Sequence, residues 1–189
     1  KGRCNGSMYW QLNDCWGVCS WSSIDYYGNY KALQYGARHF NAPVSVSIEN
    51  TEEYIKLFVL NDLKEKQDVT VTYDIFDFVS GTKQSDKKDV SIDAVKNELV
   101  FELDVKSLAK AYDLKRTGVA VKLFKDGELL QQKTVLFDKE KKLDLPKAKL
   151  KTRIEIKEDR LDITVKSDAY ARLVKLESAD SVLPFSDNF

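Results

Sequence analysis

The sequence lacks an excess of either charge and any long apolar run. Its 30 basic and 30 acidic side chains give a formal net charge of zero, whereas nucleic-acid-binding proteins normally carry a clustered basic excess. No apolar run approaches the roughly 18 residues that span a bilayer. These features argue against a nucleic-acid-binding protein and against a membrane protein.

Cysteine and histidine are also scarce. The three cysteines, Cys4, Cys15 and Cys19, are odd in number and crowded at one end, which argues against a disulfide framework. His39 is the only histidine, and no Cys-x2-Cys spacing supports a zinc site. No glycine-rich phosphate loop or nucleophile elbow is present. We therefore expect neither a metal ion nor another cofactor.

The composition changes along the chain. Residues 1–45 hold all three tryptophans and five of the nine tyrosines, but only six charged side chains, which leaves 54 of the 60 to the other 144 residues. One compact domain seldom divides its composition so sharply, so we predict a junction near Pro43. A second candidate boundary is the lysine-rich segment 138–146, which ends in a proline that resists regular pairing.

The first part of the chain has the pattern of one strand, one loop and one helix. The apolar run Ser7–Leu12 predicts a strand buried on both faces. Residues 13–28 are too many for a tight turn. The spacing of apolar residues over Tyr30–Phe40 predicts a helix, which Pro43 follows closely. A single βα unit cannot form a core alone, so we expect it to be the end of something larger.

From Val44 onward the apolar period is two, which predicts an antiparallel β-sandwich of six or more strands. Asp126-Gly127 is a strong hairpin signal. After Pro146 the pattern resumes around a turn at Glu158-Asp159, and Ala169–Leu173 is predicted to begin a last strand, so that about half of a second sandwich is present. The predicted strands lie at Val44–Ile48, Tyr54–Leu60, Val69–Ile75, Leu99–Val105, Val119–Leu123, Leu130–Phe137, Ile154–Ile156 and Leu161–Val165.

Several segments near the front follow one another in the order and close spacing of a known family. They are Met8-Tyr-Trp-Gln-Leu-Asn-Asp14, Trp16, Ser20-Trp-Ser-Ser-Ile-Asp-Tyr-Tyr-Gly28, Lys31-Ala-Leu33, Ala37-Arg-His-Phe40 and Ala42-Pro43. This stretch resembles the β-mannosidases of glycoside hydrolase family 2. Ser167–Ala171 and Phe185–Asn188 resemble, more weakly, the C-terminal β-domain of the same enzymes.

The resemblance implies a mainly β chain, with immunoglobulin-like sandwiches preceded by the last βα unit of a catalytic (β/α)8 barrel. Residues 1–43 would be the last strand, loop and helix of the barrel. Residues 44–140 would be one immunoglobulin-like sandwich, and residues 141–189 the beginning of a second, truncated one. The chain is therefore expected to be a C-terminal fragment.

The family resemblance also implies an activity. Its members are retaining exo-glycosidases that remove terminal β-linked mannose with two carboxylates about 5 Å apart. Both are glutamates on earlier barrel strands, upstream of Lys1. Asn97-Glu98 copies the family's Asn-Glu pair, but it is predicted to lie in a turn before Leu99. We therefore predict no catalytic residue in this chain and no hydrolysis by the chain alone.

Five residues are predicted to bind substrate by this resemblance: Trp10, Asn13, Asp14, Trp16 and Trp21. Trp10 would line the subsite at the cleaved bond, the alternative being a core tryptophan. Asn13 and Asp14 either bind sugar hydroxyls or order the loop, as such residues often do. Trp16 and Trp21 either line the pocket mouth or pack within the loop.

Other candidates are predicted to be structural. Asp25 is interpreted as a loop anchor, and His39 as a helix-surface or interdomain contact. The aromatic residues Tyr73, Phe76 and Phe78 are assigned to the sandwich core.

Two alternatives stay open. One is another family 2 exo-β-glycosidase, such as a β-galactosidase, β-glucuronidase or exo-β-glucosaminidase. The other is a non-catalytic carbohydrate-binding or structural β-sandwich module. The expected partners are a β-mannoside oligosaccharide or glycan and the upstream barrel domain, and the resemblance also allows a homodimer. Three unpaired cysteines fit a reducing compartment, so we expect a bacterial cytoplasmic protein.

Overall fold

The computed structural model describes residues 6–177 and 185–188. By their contacts the residues form two compact units, one of residues 1–42 with 172–189 and one of residues 43–171. None of the helices in these described ranges is long and apolar enough to cross a membrane. In chain order the elements are α1 (Ala32–Phe40), β1 (Val44–Asn50), β2 (Tyr54–Asn61), β3 (Gln67–Asp77), β4 (Gly81–Ile92), β5 (Lys96–Asp104), α2 (Val105–Ala111), β6 (Thr117–Lys125), β7 (Glu128–Leu136), a short 3-10 helix (Glu140–Lys142), β8 (Leu150–Ile156) and β9 (Leu161–Ser167).

The larger unit contains a sandwich of two antiparallel sheets. One sheet has the strand order β1-β2-β5 and the other the order β4-β3-β6-β7. Side chains alternate between core and solvent, as in β2, where every second residue is buried. The predicted mainly β, immunoglobulin-like sandwich is confirmed. Most of its fully buried residues are aliphatic and come from both sheets: Val46, Ile55, Leu57, Val59, Val71, Ile75, Ile92, Val119, Val121 and Leu123.

The sequence pattern misses two elements of this unit. The first nine residues of β4 are exposed, and only Val90 and Ile92 reach the core, so an apolar alternation is almost absent. The helix α2 begins where the pattern extends a strand to Val105. The carboxylate of Asp104 accepts the Ser107 N–H at 2.7 Å, which caps the helix and ends the strand.

The β6–β7 hairpin turns at Asp126-Gly127, as predicted. Both residues have positive φ, 51° and 83° respectively, and a type I′ turn requires this at both central positions. Glycine adopts that conformation without a steric cost, and aspartate tolerates it better than most residues. The turn sequence therefore accounts for the sharp reversal between these two strands.

Two side chains of β7 bridge the two sheets. Gln131 accepts the Val46 N–H at 2.8 Å, and the Lys133 ammonium donates to the Val46 carbonyl at 2.6 Å. Val46 lies on the edge strand β1, so these bonds satisfy backbone groups that would otherwise lack a partner. Burial lowers the pKa of Lys133.

The strands β8 and β9 form a two-stranded sheet of their own, with the predicted turn between them. The predicted last strand at Ala169–Leu173 is wrong. The Tyr170 N–H donates to the Phe78 carbonyl at 2.8 Å, and the two rings stack with centroids 5.2 Å apart. Tyr170 thus packs against the sandwich instead of extending the β8–β9 ladder. Phe78 and Tyr73 are buried, which confirms their assignment to the core.

The smaller unit contains α1, which confirms the predicted helix. The predicted strand at Ser7–Leu12 is wrong, because the structure shows no strand over these residues. A strand buried on both faces needs hydrogen-bonding neighbours at its edges. In the described part of the chain, the backbone of Gln11 and Leu12 meets only the loop residues Ser23 and Ile24.

Candidate functional site

The three tryptophans of the chain lie on one loop, residues 10–31, which we call the tryptophan loop. Two stretches of this loop run side by side: the first arm, residues 11–14, and the second arm, residues 20–24. Residues 15–19 connect the arms, and α1 follows the loop directly. The tryptophans are thus carried by irregular chain, whose shape depends on specific hydrogen bonds rather than on a strand ladder.

Backbone hydrogen bonds join the two arms. The Ile24 N–H donates to the Leu12 carbonyl at 2.9 Å, and the Asp14 N–H donates to the Ile24 carbonyl at 3.0 Å. The Ser23 N–H donates to the Gln11 carbonyl at 2.9 Å, and its hydroxyl donates to the Leu12 carbonyl at 2.8 Å. These bonds close the base of the loop.

Asp14 is the charged centre of the loop, and its side chain is 1% exposed. One carboxylate oxygen accepts from the Lys31 ammonium at 2.8 Å, and the other accepts from the Ser20 hydroxyl. The Lys31 ammonium also donates to the Ser22 hydroxyl at 2.6 Å. The hydrogen bonds from Lys31 and from Ser20 lower the pKa of Asp14 to about 2, so the carboxyl is ionised at neutral pH.

Asp25 closes the last turn of the loop. One carboxylate oxygen accepts the backbone N–H groups of Tyr27 and Asn29, each at 2.8 Å, and the other accepts the Asn29 side-chain amide at 2.8 Å. Burial acts to raise the pKa of Asp25, but the hydrogen bonds from Asn29 and Tyr27 outweigh it and lower that pKa. The predicted role of Asp25 as a loop anchor is confirmed.

All five predicted substrate-binding residues lie on this loop. The side chains of Trp10, Trp16 and Trp21 are 72%, 64% and 78% exposed, so none of them belongs to the core of its unit. Asn13 is exposed, and its amide donates to the Asp14 carbonyl at 3.2 Å. Both carboxylate oxygens of Asp14 already accept hydrogen bonds from within the loop. This favours a role for Asp14 in ordering the loop over a role in binding sugar hydroxyls.

The sequence reasoning misses three residues of this cluster: Ser20, Ser22 and Lys31. One signal could have found the lysine. Between Arg3 and Arg38, Lys31 is the only basic residue. An aspartate buried in this stretch therefore has a single nearby cation along the chain, and buried carboxylates are almost always paired. The serines give no comparable signal.

The loop exposes aromatic side chains, but it lacks a free acid–base pair. Asp14 and Asp25 are its only acidic residues, and the carboxylate oxygens of both already accept hydrogen bonds within the loop. Asn97-Glu98 lies within β5 rather than in the predicted turn, and Glu98 is exposed on that edge strand. What the loop offers to a ligand is flat aromatic surface and polar groups.

The remaining reactive side chains are dispersed. Cys15 and Cys19 are exposed free thiols, whereas Cys4 lies outside the described residues. His39 contacts the carboxylate of Asp187 at 3.1 Å on the exposed surface of α1. No group of three or more histidine, cysteine or acidic side chains that could hold a metal ion occurs within residues 6–177 and 185–188.

Family models match most of the chain after the tryptophan loop. The mannosidase Ig/CBM-like domain matches residues 53–142, and an Ig-fold domain matches residues 145–189. A β-mannosidase of Bos taurus is 31% identical over the whole of this chain and 22% of its own length. The crystal structure of a β-D-mannosidase from Dictyoglomus thermophilum matches with a TM-score of 0.78 and 30% identity, over 95% of this chain and 22% of that one.

The chain is a relative of the glycoside hydrolase family 2 β-mannosidases. The resemblance inferred from the front of the sequence is confirmed. A β-mannosidase A of Aspergillus terreus is 42% identical over 41% of this chain and 7% of its own length. This β-mannosidase relative spans about a fifth of the length of the bovine protein and of the Dictyoglomus protein, 22% in each case.

Proposed function

We propose that this chain is the C-terminal part of a retaining exo-β-mannosidase, which removes terminal β-D-mannose from the non-reducing ends of oligosaccharides or glycans. The observation that carries the proposal is the 31% identity with bovine β-mannosidase along the whole chain, including the tryptophan loop. In this proposal residues 1–43 complete the catalytic barrel, and residues 44–140 and 141–189 belong to the two β-domains that follow it.

The tryptophan loop lines the substrate site in this proposal. An indole ring offers a flat apolar surface to the apolar face of a sugar ring. Its electron-rich face also favours the positive charge that develops in an oxocarbenium-like transition state. We assign this role to Trp10, and we place Trp16 and Trp21 at the mouth of the site. Asn13 offers its exposed amide to a sugar hydroxyl, and Asp14 contributes by ordering the loop.

The chemical step needs residues that this chain does not supply. Retaining glycosidases use a nucleophile and an acid–base residue whose carboxyl groups lie about 5 Å apart. Asp14 and Asp25 are already engaged within the loop. We therefore assign both catalytic carboxylates to the preceding barrel and expect the 189-residue chain to hydrolyse nothing by itself.

The test is an assay of the full-length protein with aryl β-mannoside, β-galactoside, β-glucuronide and β-glucosaminide. The proposal expects turnover of the β-mannoside by the full-length protein and none by the 189-residue chain. Preferred turnover of another glycoside would reassign the protein within family 2. Turnover of none would contradict the proposal and favour a non-catalytic module.

A tryptophan variant tests the assigned site. In the full-length protein, Trp10→Ala is expected to lower kcat/KM for the β-mannoside by roughly a hundredfold, about 3 kcal/mol of transition-state stabilisation. Tyr27→Ala is the matched control, because Tyr27 is an aromatic residue of the same loop with 73% exposure and no assigned contact to substrate. Equal losses in the two variants would count against a specific role for Trp10.

A further inference from the structure

Lys31 is not among the residues assigned to substrate, yet it bonds to both arms of the tryptophan loop. Its ammonium donates to Asp14 on the first arm at 2.8 Å and to Ser22 on the second arm at 2.6 Å. Its backbone N–H donates to the Ser23 carbonyl, also on the second arm, at 2.9 Å. One residue thus makes three hydrogen bonds that hold the arms at a fixed separation.

Helix α1 fixes the position of Lys31 itself. Lys31 is the N-cap residue of α1, and its carbonyl accepts the Gln34 N–H at 2.9 Å. The side chain extends from this anchored backbone into the loop and is 29% exposed. A side chain anchored at the start of α1 therefore bonds to the irregular tryptophan loop, and such support from a helix positions a loop well.

The burial of Asp14 depends on this ammonium. Removing one partner of a buried ion pair leaves an uncompensated charge, which is strongly unfavourable. Within the described residues, Lys31 is the only charged group bonded to the Asp14 carboxylate, and the serine hydroxyls beside it are neutral. Without the ammonium, Asp14 gains by turning toward water. The side-chain bonds of its carboxylate to Ser20 and Lys31 are then lost, and only the backbone bonds at the base of the loop and the Ser23 hydroxyl bond still join the arms.

We propose that Lys31 is the positioning residue of the substrate site: its ammonium holds the two arms together and so sets where the tryptophans stand. Trp21 lies between Ser20 and Ser22, both of which belong to the hydrogen-bonded cluster. Trp10 immediately precedes the first arm. That this loop lines a substrate site rests on the proposed function. The role of Lys31 in holding the loop does not depend on it.

The test uses the 189-residue chain labelled with fluorotryptophan and observed by fluorine NMR. All three tryptophans lie on the loop, so every resonance reports on it. Lys31→Met keeps much of the side-chain length and removes the ammonium. The Trp16 and Trp21 resonances, assigned from single Trp→Phe variants, are expected to move to the positions that they take in concentrated urea.

The matched control is Lys122→Met, which removes an ion pair of the same kind from the sandwich, where Lys122 lies 3.0 Å from Asp74. It is expected to leave all three resonances in place. Far-UV circular dichroism of each variant confirms that the sandwich is folded. Resonances that move equally in both lysine variants would overturn the proposal.

Asp14→Asn supplies a second, independent variant. If Lys31 acts through Asp14, this variant shifts the same resonances as Lys31→Met, and the double variant adds little. Unchanged spectra in both single variants would overturn the positioning role even if the full-length protein hydrolyses mannosides. A full-length protein without glycosidase activity would contradict the proposed function and leave the spectroscopic result intact.

Discussion

An aspartate, a lysine and a serine meet in each of the two units, in different surroundings. In the sandwich, Asp74 on β3 accepts hydrogen bonds from Lys122 on β6 and from Ser85 on β4. In the tryptophan loop, Asp14 accepts from Lys31 and from a serine. The first cluster lies across three paired strands, whereas the second connects segments that form no ladder.

The surroundings decide what each ion pair contributes. The β3–β6 ladder runs from Thr70↔Phe124 to Asp77↔Thr117 and holds Asp74 beside β6 whether or not the side chains pair. Partly exposed ion pairs of that kind contribute about 0–1 kcal/mol. The arms of the tryptophan loop share a few backbone bonds and isolated bridges rather than a ladder. Side-chain bonds therefore contribute more to their positioning than they do in the sheet.

The largest expected effect comes from the sandwich core, which should hold the sheets regardless of surface ion pairs. Leu57→Ala removes a side chain with 0% exposure and is expected to lower the free energy of unfolding by about 2–5 kcal/mol. Urea denaturation followed by far-UV circular dichroism measures this. Leu129→Ala, at a leucine that is 52% exposed, is the control and should stay within about 0.5 kcal/mol.

The next effect concerns the bridge between the sheets. Gln131→Leu removes the acceptor of the buried Val46 N–H and is expected to cost about 1–3 kcal/mol in the same denaturation experiment. Gln132→Leu, at the exposed neighbour on β7, should cost much less. Equal costs for the two variants would mean that the bridge to β1 contributes nothing.

Acid titration sharpens the comparison on the loop side. The folded pKa of Asp14 is lowered from 3.8 to about 2. The stabilisation that the ionised carboxylate gives to the folded loop is therefore fully present above about pH 4 and is lost as the pH falls through about 2. The near-UV circular dichroism of the tryptophans should follow that loss. Lys31→Met should lack this acid transition, because the loop is already released at neutral pH in that variant.

Asp77 provides the internal control for this titration. Hydrogen bonds from Ser80 and from the Val79 N–H lower its pKa to about 2 as well, but it is the last residue of β3 in the sandwich, which contains no tryptophan. A tryptophan signal with the same midpoint in the Lys31→Met variant would contradict the link between Lys31 and Asp14.

The smallest expected effect is on the sheet side. Lys122→Met should change the free energy of unfolding by no more than about 1 kcal/mol, because solvent screens the pair and the ladder keeps its geometry. The same urea denaturation measures it. A loss as large as that from Leu57→Ala would break the comparison, since the sheet pair would then be as important as the core.

The strands that the sequence predicts are those with one apolar face. β2 and β3 alternate between buried and less buried residues, and the Asp126-Gly127 turn is specific enough to place the β6–β7 hairpin. β4 pairs with β3 along its length but sends only its last residues into the core. A strand that pairs through its backbone but buries few side chains shows no alternation of apolar and polar residues, so this strand could not be predicted.

The candidate site is predictable in composition but not in geometry. The clustering of Trp10, Trp16 and Trp21 in one loop and their family resemblance can be read from the sequence. The ion pair of Lys31 with Asp14 joins residues 17 positions apart in irregular chain, where no helical or strand period relates them. The strand prediction for Ser7–Leu12 is wrong for a different reason. An apolar run has the composition of a buried strand whether or not partner strands are present.

The polarity of β4 has a consequence for how these molecules behave in concentrated solution. β4 is an edge strand of its sheet, and a long edge strand presents free backbone groups to which a strand of another molecule can add. Lys83, Lys87 and Lys88, together with Asp86 and Asp89, occupy the exposed part of β4. Their charges and hydration oppose such strand addition. The strand that is hardest to recognise in the sequence is therefore well suited to keep separate molecules from joining edge to edge.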